Sequence, residues 1–254
     1  MTKKYHSMYY SDSMSLTIRQ SEILKAIIEE YITCAQPIAS VELVSKRGLS
    51  VSGATVRNIM ADLVRLGYLS MVHVSSGRRP TDRAYRYYIA ELMDEDIISV
   101  LDEVSLKQKV WDVRYELERL LANSAKALSE ASNAITISLT DDGFMSYYGA
   151  SKIFDMPEFL EIDVTRSVFR IIDDYNLAKS ILSKTADSGG VSVLIGREIG
   201  LANMEPISVI STSCKLGGKN CYIGILGPSR IQYNRVIPLV RYASQLLNEV
   251  GENL

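Results

Sequence analysis

The sequence predicts an α+β chain that opens with an N-terminal winged helix-turn-helix, continues through a connecting helix and ends in a mixed half of short strands and helices. Three observations predict this. Helical patterns and a hairpin signal follow one another within about 75 residues, from Thr17 to Leu92. Apolar residues at three- and four-residue spacing then run from Asp94 to Ser132. Beyond them, short apolar runs alternate with helical segments up to a last amphipathic helix.

Residues 1–14 read as a loose polar-aromatic tail, and residues 15–93 as the DNA-binding domain. A first helix is expected from Thr17 to Ile32, with Ile23, Leu24, Ile27, Ile28 and Tyr31 on one face and Lys25, Glu29 and Glu30 on the other. Gln36-Pro37 breaks it, because proline lacks a donor and pushes its predecessor out of helical geometry. Ser40 is expected to cap a short helix that ends at Gly48. Ser52 caps the third helix, on which Val56, Ile59, Met60, Leu63 and Leu66 share one side. Gly67 stops it. A strand is predicted over Tyr68–Val74, a turn at Ser75-Ser76-Gly77, and a return strand from Arg78 that Pro80 limits. Thr81 then caps a helix that turns Tyr85, Tyr88, Ile89 and Leu92 inward and Arg83 and Arg86 outward.

Residues 94–133 read as one connecting or dimerising helix. Residues 134–254 carry strand candidates at Ala134–Leu139, Val191–Ile195, Ile207–Thr212 and Tyr222–Leu226. Helical segments are expected at Pro157–Phe159, Val164–Lys184 and Ile231–Val250, the last with a kink at Pro238.

The bulk properties exclude more than they select. Net charge is −2, but residues 1–90 balance at +5 and residues 91–254 at −7. A basic front suits a chain that offers one end to a polyanion. The start has no apolar segment of the signal-peptide kind and the longest apolar runs are too short to span a bilayer, so a cytoplasmic protein without a membrane partner is expected. Cys34, Cys214 and Cys221 lack metal-site spacing and only two histidines accompany them, so they are expected to be small buried thiols, with no metal and no cofactor. Asp141-Asp142 and Asp173-Asp174 read as turn residues, and the glycine pairs fit neither a phosphate loop nor a dinucleotide fingerprint. No constellation calls for catalysis, so the chain is not expected to be an enzyme.

The positive signal lies on the third helix and the hairpin. Ala54, Arg57, Asn58, Ala61 and Arg65 fall opposite the apolar side, and the two alanines keep that surface low. Asn58 is suited to an adenine edge, and Arg57 or Arg65 to guanine or phosphate. Ser52 and Thr55 stand at the helix N-terminus, where free N–H groups and the dipole favour phosphate. Arg78 and Arg79, expected at the hairpin tip, suit a minor groove or backbone, and Ser75 and Ser76 add neutral donors. Double-stranded DNA is the expected partner.

Several stretches resemble the heat-inducible transcription repressor family, HrcA. They are Leu16-Thr17-x-Arg19-Gln20-x-x-Ile23-Leu24, Ser52-x-Ala54-Thr55-Val56-Arg57-Asn58-x-Met60-Ala61-Asp62-Leu63, and Ser75-Ser76-Gly77-Arg78-x-Pro80-Thr81-Asp82. Gly224–Arg230 and Tyr233–Tyr242 resemble the family near the end. The resemblance implies a homodimeric repressor of chaperone operons that binds an inverted-repeat operator, called CIRCE. It also implies a GAF-like rear domain for regulation and dimerisation, here abbreviated, and a GroEL-type chaperonin as partner, whose titration by unfolded protein relieves repression. The inserted helical segment of the family has no counterpart between Ile135–Leu139 and Tyr147–Ala150. The helix expected over Asp94–Ser132 and the last helix therefore remain as dimer candidates. The alternative is a metabolite-responsive regulator that uses the GAF-like domain as a small-ligand sensor.

Overall fold

A computed structural model describes residues 16–71, 77–184 and 190–251. The fold is α+β and divides into two compact units, residues 1–94 and 95–254.

In the first unit, helix α1 (Ile18–Cys34) starts at a capping box. The Thr17 hydroxyl accepts from the Gln20 N–H at 3.2 Å, and the Gln20 side chain accepts from the Thr17 N–H at 3.0 Å. Ile23, Leu24, Ile27 and Ile28 are fully buried. Left-handed Ala35 closes the helix ahead of Pro37, two residues later than expected. Helix α2 (Ser40–Arg47) ends at left-handed Gly48, but Ser40 is not its cap. Ala39 takes that position, because Ser40 turns inward with Leu43 and its hydroxyl makes no capping bond.

Helix α3 (Gly53–Arg65) follows the Ser52 cap and buries Val56, Met60 and Leu63. Strands β1 (Leu69–Met71) and β2 (Arg78–Pro80) pair antiparallel, with Ser70 opposite Arg79. Ile38 adds an antiparallel bridge to Arg78. Thr81 caps helix α4 (Asp82–Tyr87), which runs into a π-helical turn over Tyr88–Leu92. The two arginines expected to face outward there are both half-buried. Arg83 lies 4.7 Å from the centre of the Tyr68 ring, because a guanidinium gains more from an aromatic face than from water alone.

In the second unit, the single helix expected over Asp94–Ser132 is instead two, α5 (Val100–Trp111) and α6 (Leu117–Ser132). The break at residues 112–116 has a packing cause. Turning the chain there lets Val110, Leu120 and Leu121 share one cluster with Leu216 and Leu247, and the Asn123 amide donates to the Lys109 carbonyl at 3.2 Å.

The sheet is wholly antiparallel, in the order β4-β3-β7-β6-β5. Its strands are β3 (Ile135–Thr140), β4 (Met145–Tyr148), β5 (Ser192–Ile195), β6 (Ile207–Leu216) and β7 (Lys219–Pro228). One face carries Ile135, Ile137, Leu139, Val209 and Leu226 against α7 (Ile162–Asp173) and α8 (Tyr175–Leu182). The other, with Cys214 and Cys221, lies under α5, α6 and α9 (Tyr233–Gly251). The helix expected over Val164–Lys184 is divided because Asp174 leaves helical geometry and caps α8, accepting from the Leu177 N–H at 3.1 Å. Of the three cysteines expected to be buried, Cys214 and Cys221 are, and Cys34 is half-exposed. Among the described residues, no helix is long and apolar enough to cross a membrane, and no group of three His, Cys, Asp or Glu converges as a metal site.

Candidate nucleic-acid interface

The N-terminal turn of α3 is fixed by its own sequence. Ser52 is extended at φ −69° and ψ 151°, and its hydroxyl accepts from the Thr55 N–H at 3.1 Å. The Thr55 hydroxyl lies 2.9 Å from the same oxygen. Val56, Met60 and Leu63 pin the opposite side in the core, so rotation about the helix axis is set. That rotation turns Ala54, Thr55, Arg57, Asn58, Ala61 and Arg65 outward, all of them exposed. Among the described residues, Arg57 and Asn58 have no side-chain hydrogen bond or ion pair, so their donors are open to a ligand. Arg65 pairs with Asp62 one turn back. Such an exposed pair is worth only a fraction of a kcal/mol, about 0.3–0.5, and does not hold the guanidinium against a phosphate.

The hairpin places its two arginines differently from the expectation of a shared tip. Both lie on strand β2, where successive side chains point to opposite sides. Arg79 is exposed, and its Nε donates to the Ser70 hydroxyl at 3.1 Å. Arg78 is half-buried, and its backbone exchanges two hydrogen bonds of 2.9 Å with Ile38. Arg79 is therefore the arginine of β2 presented to solvent, while Arg78 ties the hairpin to the α1–α2 connection. Ser75 and Ser76 lie outside the described residues. At the base of the hairpin, the Thr81 hydroxyl donates to the Gly67 carbonyl at 2.8 Å and accepts from the Ala84 N–H at 3.3 Å.

A second group of residues, including Glu29 and Glu30 that the sequence assigns to the outer face of the first helix, joins α2 to α1. Glu30 accepts from Lys46 at 2.9 Å and from Arg47 at 3.3 Å, and Arg47 also reaches Glu29 at 3.0 Å. The Lys46 ammonium holds the Glu30 carboxyl below its ordinary range, against the opposing effect of partial burial. Glu42 and Glu30 together push the Lys46 ammonium up. Contrary to its expected place on the outer face with Lys25 and Glu29, Glu30 is buried with the apolar positions of α1, because Lys46 and Arg47 of α2 satisfy its carboxylate.

A family model described as the HrcA protein C terminal domain matches residues 54–237. The heat-inducible transcription repressor HrcA of Geobacter sulfurreducens is 28% identical, over 92% of this chain and 98% of that protein. The protein of the same name from Clostridium acetobutylicum is 25% identical, over 95% and 98%. The first of these alignments runs over 335 positions, more than the 254 residues present here, so that relative carries residues without a counterpart in this chain. A solved structure, the crystal structure of a hypothetical protein at 2.2 Å resolution, superposes with a TM-score of 0.75 at 17% identity, over 94% of this chain and 99% of its own. That likeness concerns the fold alone. With a family model covering well over half of its residues, the chain belongs to the HrcA family of heat-inducible transcription repressors.

Proposed function

We propose that this chain is a cytoplasmic, dimeric repressor of heat-shock operons that binds an inverted-repeat operator of the CIRCE type. In this reading residues 15–93 form a winged helix-turn-helix. Helix α3 enters the major groove, with Asn58 and Arg57 at base edges and Arg65 at the groove wall. Ser52, Ala54 and Thr55 bring the helix N-terminus against a phosphate. Arg79 grips the backbone or minor groove from β2, with Arg78, Ser75 and Ser76 completing the hairpin's contribution. The second unit, with its five-stranded antiparallel sheet between helices, serves as an abbreviated GAF-like regulatory and dimerisation domain. A GroEL-type chaperonin maintains the active repressor, and unfolded protein relieves repression by occupying the chaperonin.

The observation that carries the reading is the outward face of α3. It is a capped helix whose core side is locked, whose outer surface is lowered by Ala54 and Ala61, and whose Arg57 and Asn58 have no side-chain hydrogen bond or ion pair among the described residues. A merely solvated helix face has no need of small residues beside open donors. The ligand-sensing alternative has weaker support. A cavity lined by Asp96, Ser99, Asp102 and Arg235 measures about 240 Å³, below the about 300–1,000 Å³ usual for small-molecule sites.

Fluorescence anisotropy against inverted-repeat and scrambled duplexes at several salt concentrations tests the proposal. The repeat should bind at least about a thousandfold more tightly than the scrambled duplex. Equal affinity would remove the repressor reading.

A further inference from the structure

Helix α5 exposes a stripe of apolar side chains that its own unit leaves largely uncovered, the Arg114 guanidinium 5.2 Å from the centre of the Trp111 ring being its one ring contact among the described residues. Ile97, just ahead of the helix, is 96% exposed; Leu101 is 83%, Val100 73%, Trp111 59% and Val104 54% exposed. At 100° per residue, Val100, Leu101, Val104, Gln108 and Trp111 occupy an arc of about 100°, with Gln108 the one polar member. The opposite side of α5 is committed to the unit's own core through Leu106 and Val110. The helix is thus apolar on two sides, and only one is covered.

The geometry points to a second copy of this chain as the occupant, packed antiparallel on α5 about a two-fold axis passing near Val104. The charges along the stripe favour self-association. Glu103 and Lys107 lie on the same flank of the stripe, four residues apart, and pair with each other at 2.9 Å. In an antiparallel helix pair the same flank meets itself, so Glu103 comes beside the partner copy's Lys107, and Lys107 beside the partner copy's Glu103. The same operation sets Val104 on Val104. A protein of unrelated sequence has no reason to match the charge pattern on this flank, whereas a two-fold contact matches it by construction.

This inference rests on the dimeric repressor reading and names its contact surface. Analytical ultracentrifugation of the full chain, with operator binding measured separately, tests it. Leu101→Glu combined with Val104→Glu puts like charges on the axis. It should raise the dimer dissociation constant by at least about a hundredfold while leaving the far-ultraviolet circular dichroism spectrum unchanged, since both positions are exposed in the protomer. A charge exchange tests the register. Glu103→Lys alone and Lys107→Glu alone should each weaken the homodimer about tenfold or more. An equimolar mixture of those two variants should recover heterodimer, because each chain then faces the opposite charge.

If the wild type is a dimer and the Leu101/Val104 variant dimerises equally well, this surface is wrong and the dimeric reading survives. If the charge variants weaken the homodimer but their mixture yields no heterodimer, the antiparallel register is wrong. If the wild type is monomeric at all concentrations, with and without operator, both this surface and the dimeric reading fall.

Discussion

Gly77→Ala is the sharpest probe of how the hairpin is held. A Cβ built on Gly77 would lie 2.6 Å from the carbonyl carbon and oxygen of Pro37 and 2.6 Å from the carbonyl carbon of Ile38. These are backbone atoms, so no side-chain rotation relieves the overlap, and the two segments must separate. Separation breaks the pair of 2.9 Å hydrogen bonds between Ile38 and Arg78. Each is worth about 0.5–1.5 kcal/mol, and the forced repacking adds about 1–3 kcal/mol. A local destabilisation of about 2–6 kcal/mol follows. Hydrogen–deuterium exchange at the Ile38 and Arg78 amides reads it directly: about 2 kcal/mol corresponds to exchange roughly thirtyfold faster, since about 1.4 kcal/mol is a factor of ten. Gly48→Ala is the control. Its Cβ meets nothing within 4 Å at φ +59°, so only the left-handed conformation is penalised, at about 1–2 kcal/mol and at the end of α2. Unchanged exchange at Ile38 and Arg78 in Gly77→Ala would refute the close approach and the anchoring role given to Arg78.

Ser52→Ala removes the acceptor for the Thr55 N–H and should destabilise the first unit by about 1 kcal/mol in urea unfolding, with weaker binding of every duplex. Asn58→Ala should leave affinity for scrambled DNA unchanged and lower discrimination at one base pair by about 1–3 kcal/mol, read by anisotropy on a set of singly substituted operators. Arg79→Ala should weaken all sequences alike and reduce the slope of log affinity against log salt by about one. An unchanged slope would place Arg79 away from phosphate. Glu30→Gln addresses pH. The folded Glu30 carboxyl sits below its ordinary value of 4.5. Its contribution is therefore full above that value and is lost as pH falls through the lowered one. The variant should be less stable at neutral pH and lose less stability on acidification, measured by urea midpoints between neutral pH and pH 3.

What could be read from the sequence was what short-range chemistry decides. Thr17, Gly48, Ser52 and Thr81 act on backbone within a few residues of themselves, so their signals are local and the helices of the first unit end close to where those residues stand. The exposed face of α3 was legible for the same reason, since one rotation angle sorts all thirteen of its residues. The arginines of β2 were assigned to a shared tip because composition marks a turn without fixing where the ladder begins. The position of Arg78 depends on Ile38, forty residues earlier in the chain. Glu30 was assigned to the outer face for a like reason, because its partners Lys46 and Arg47 lie across a helix–helix contact. Strand β4 is only partly buried and shows no alternation, so period two had nothing to register.

Pro238 joins the two kinds of information. The residue alone foretells that the Asn234 carbonyl, four positions back, loses its helical donor. It does not foretell the replacement. The Asp96 N–H donates to that carbonyl at 2.9 Å, and the Asn234 amide returns a bond to the Asp96 carboxylate at 2.9 Å. The segment leading into α5 is thereby fastened to α9 at the interior turn where Pro238 leaves a backbone acceptor over. The proline supplies an attachment point there, so the start of α5, with Ile97 and Val100 beside it, is held in place for the contact proposed on its outer face.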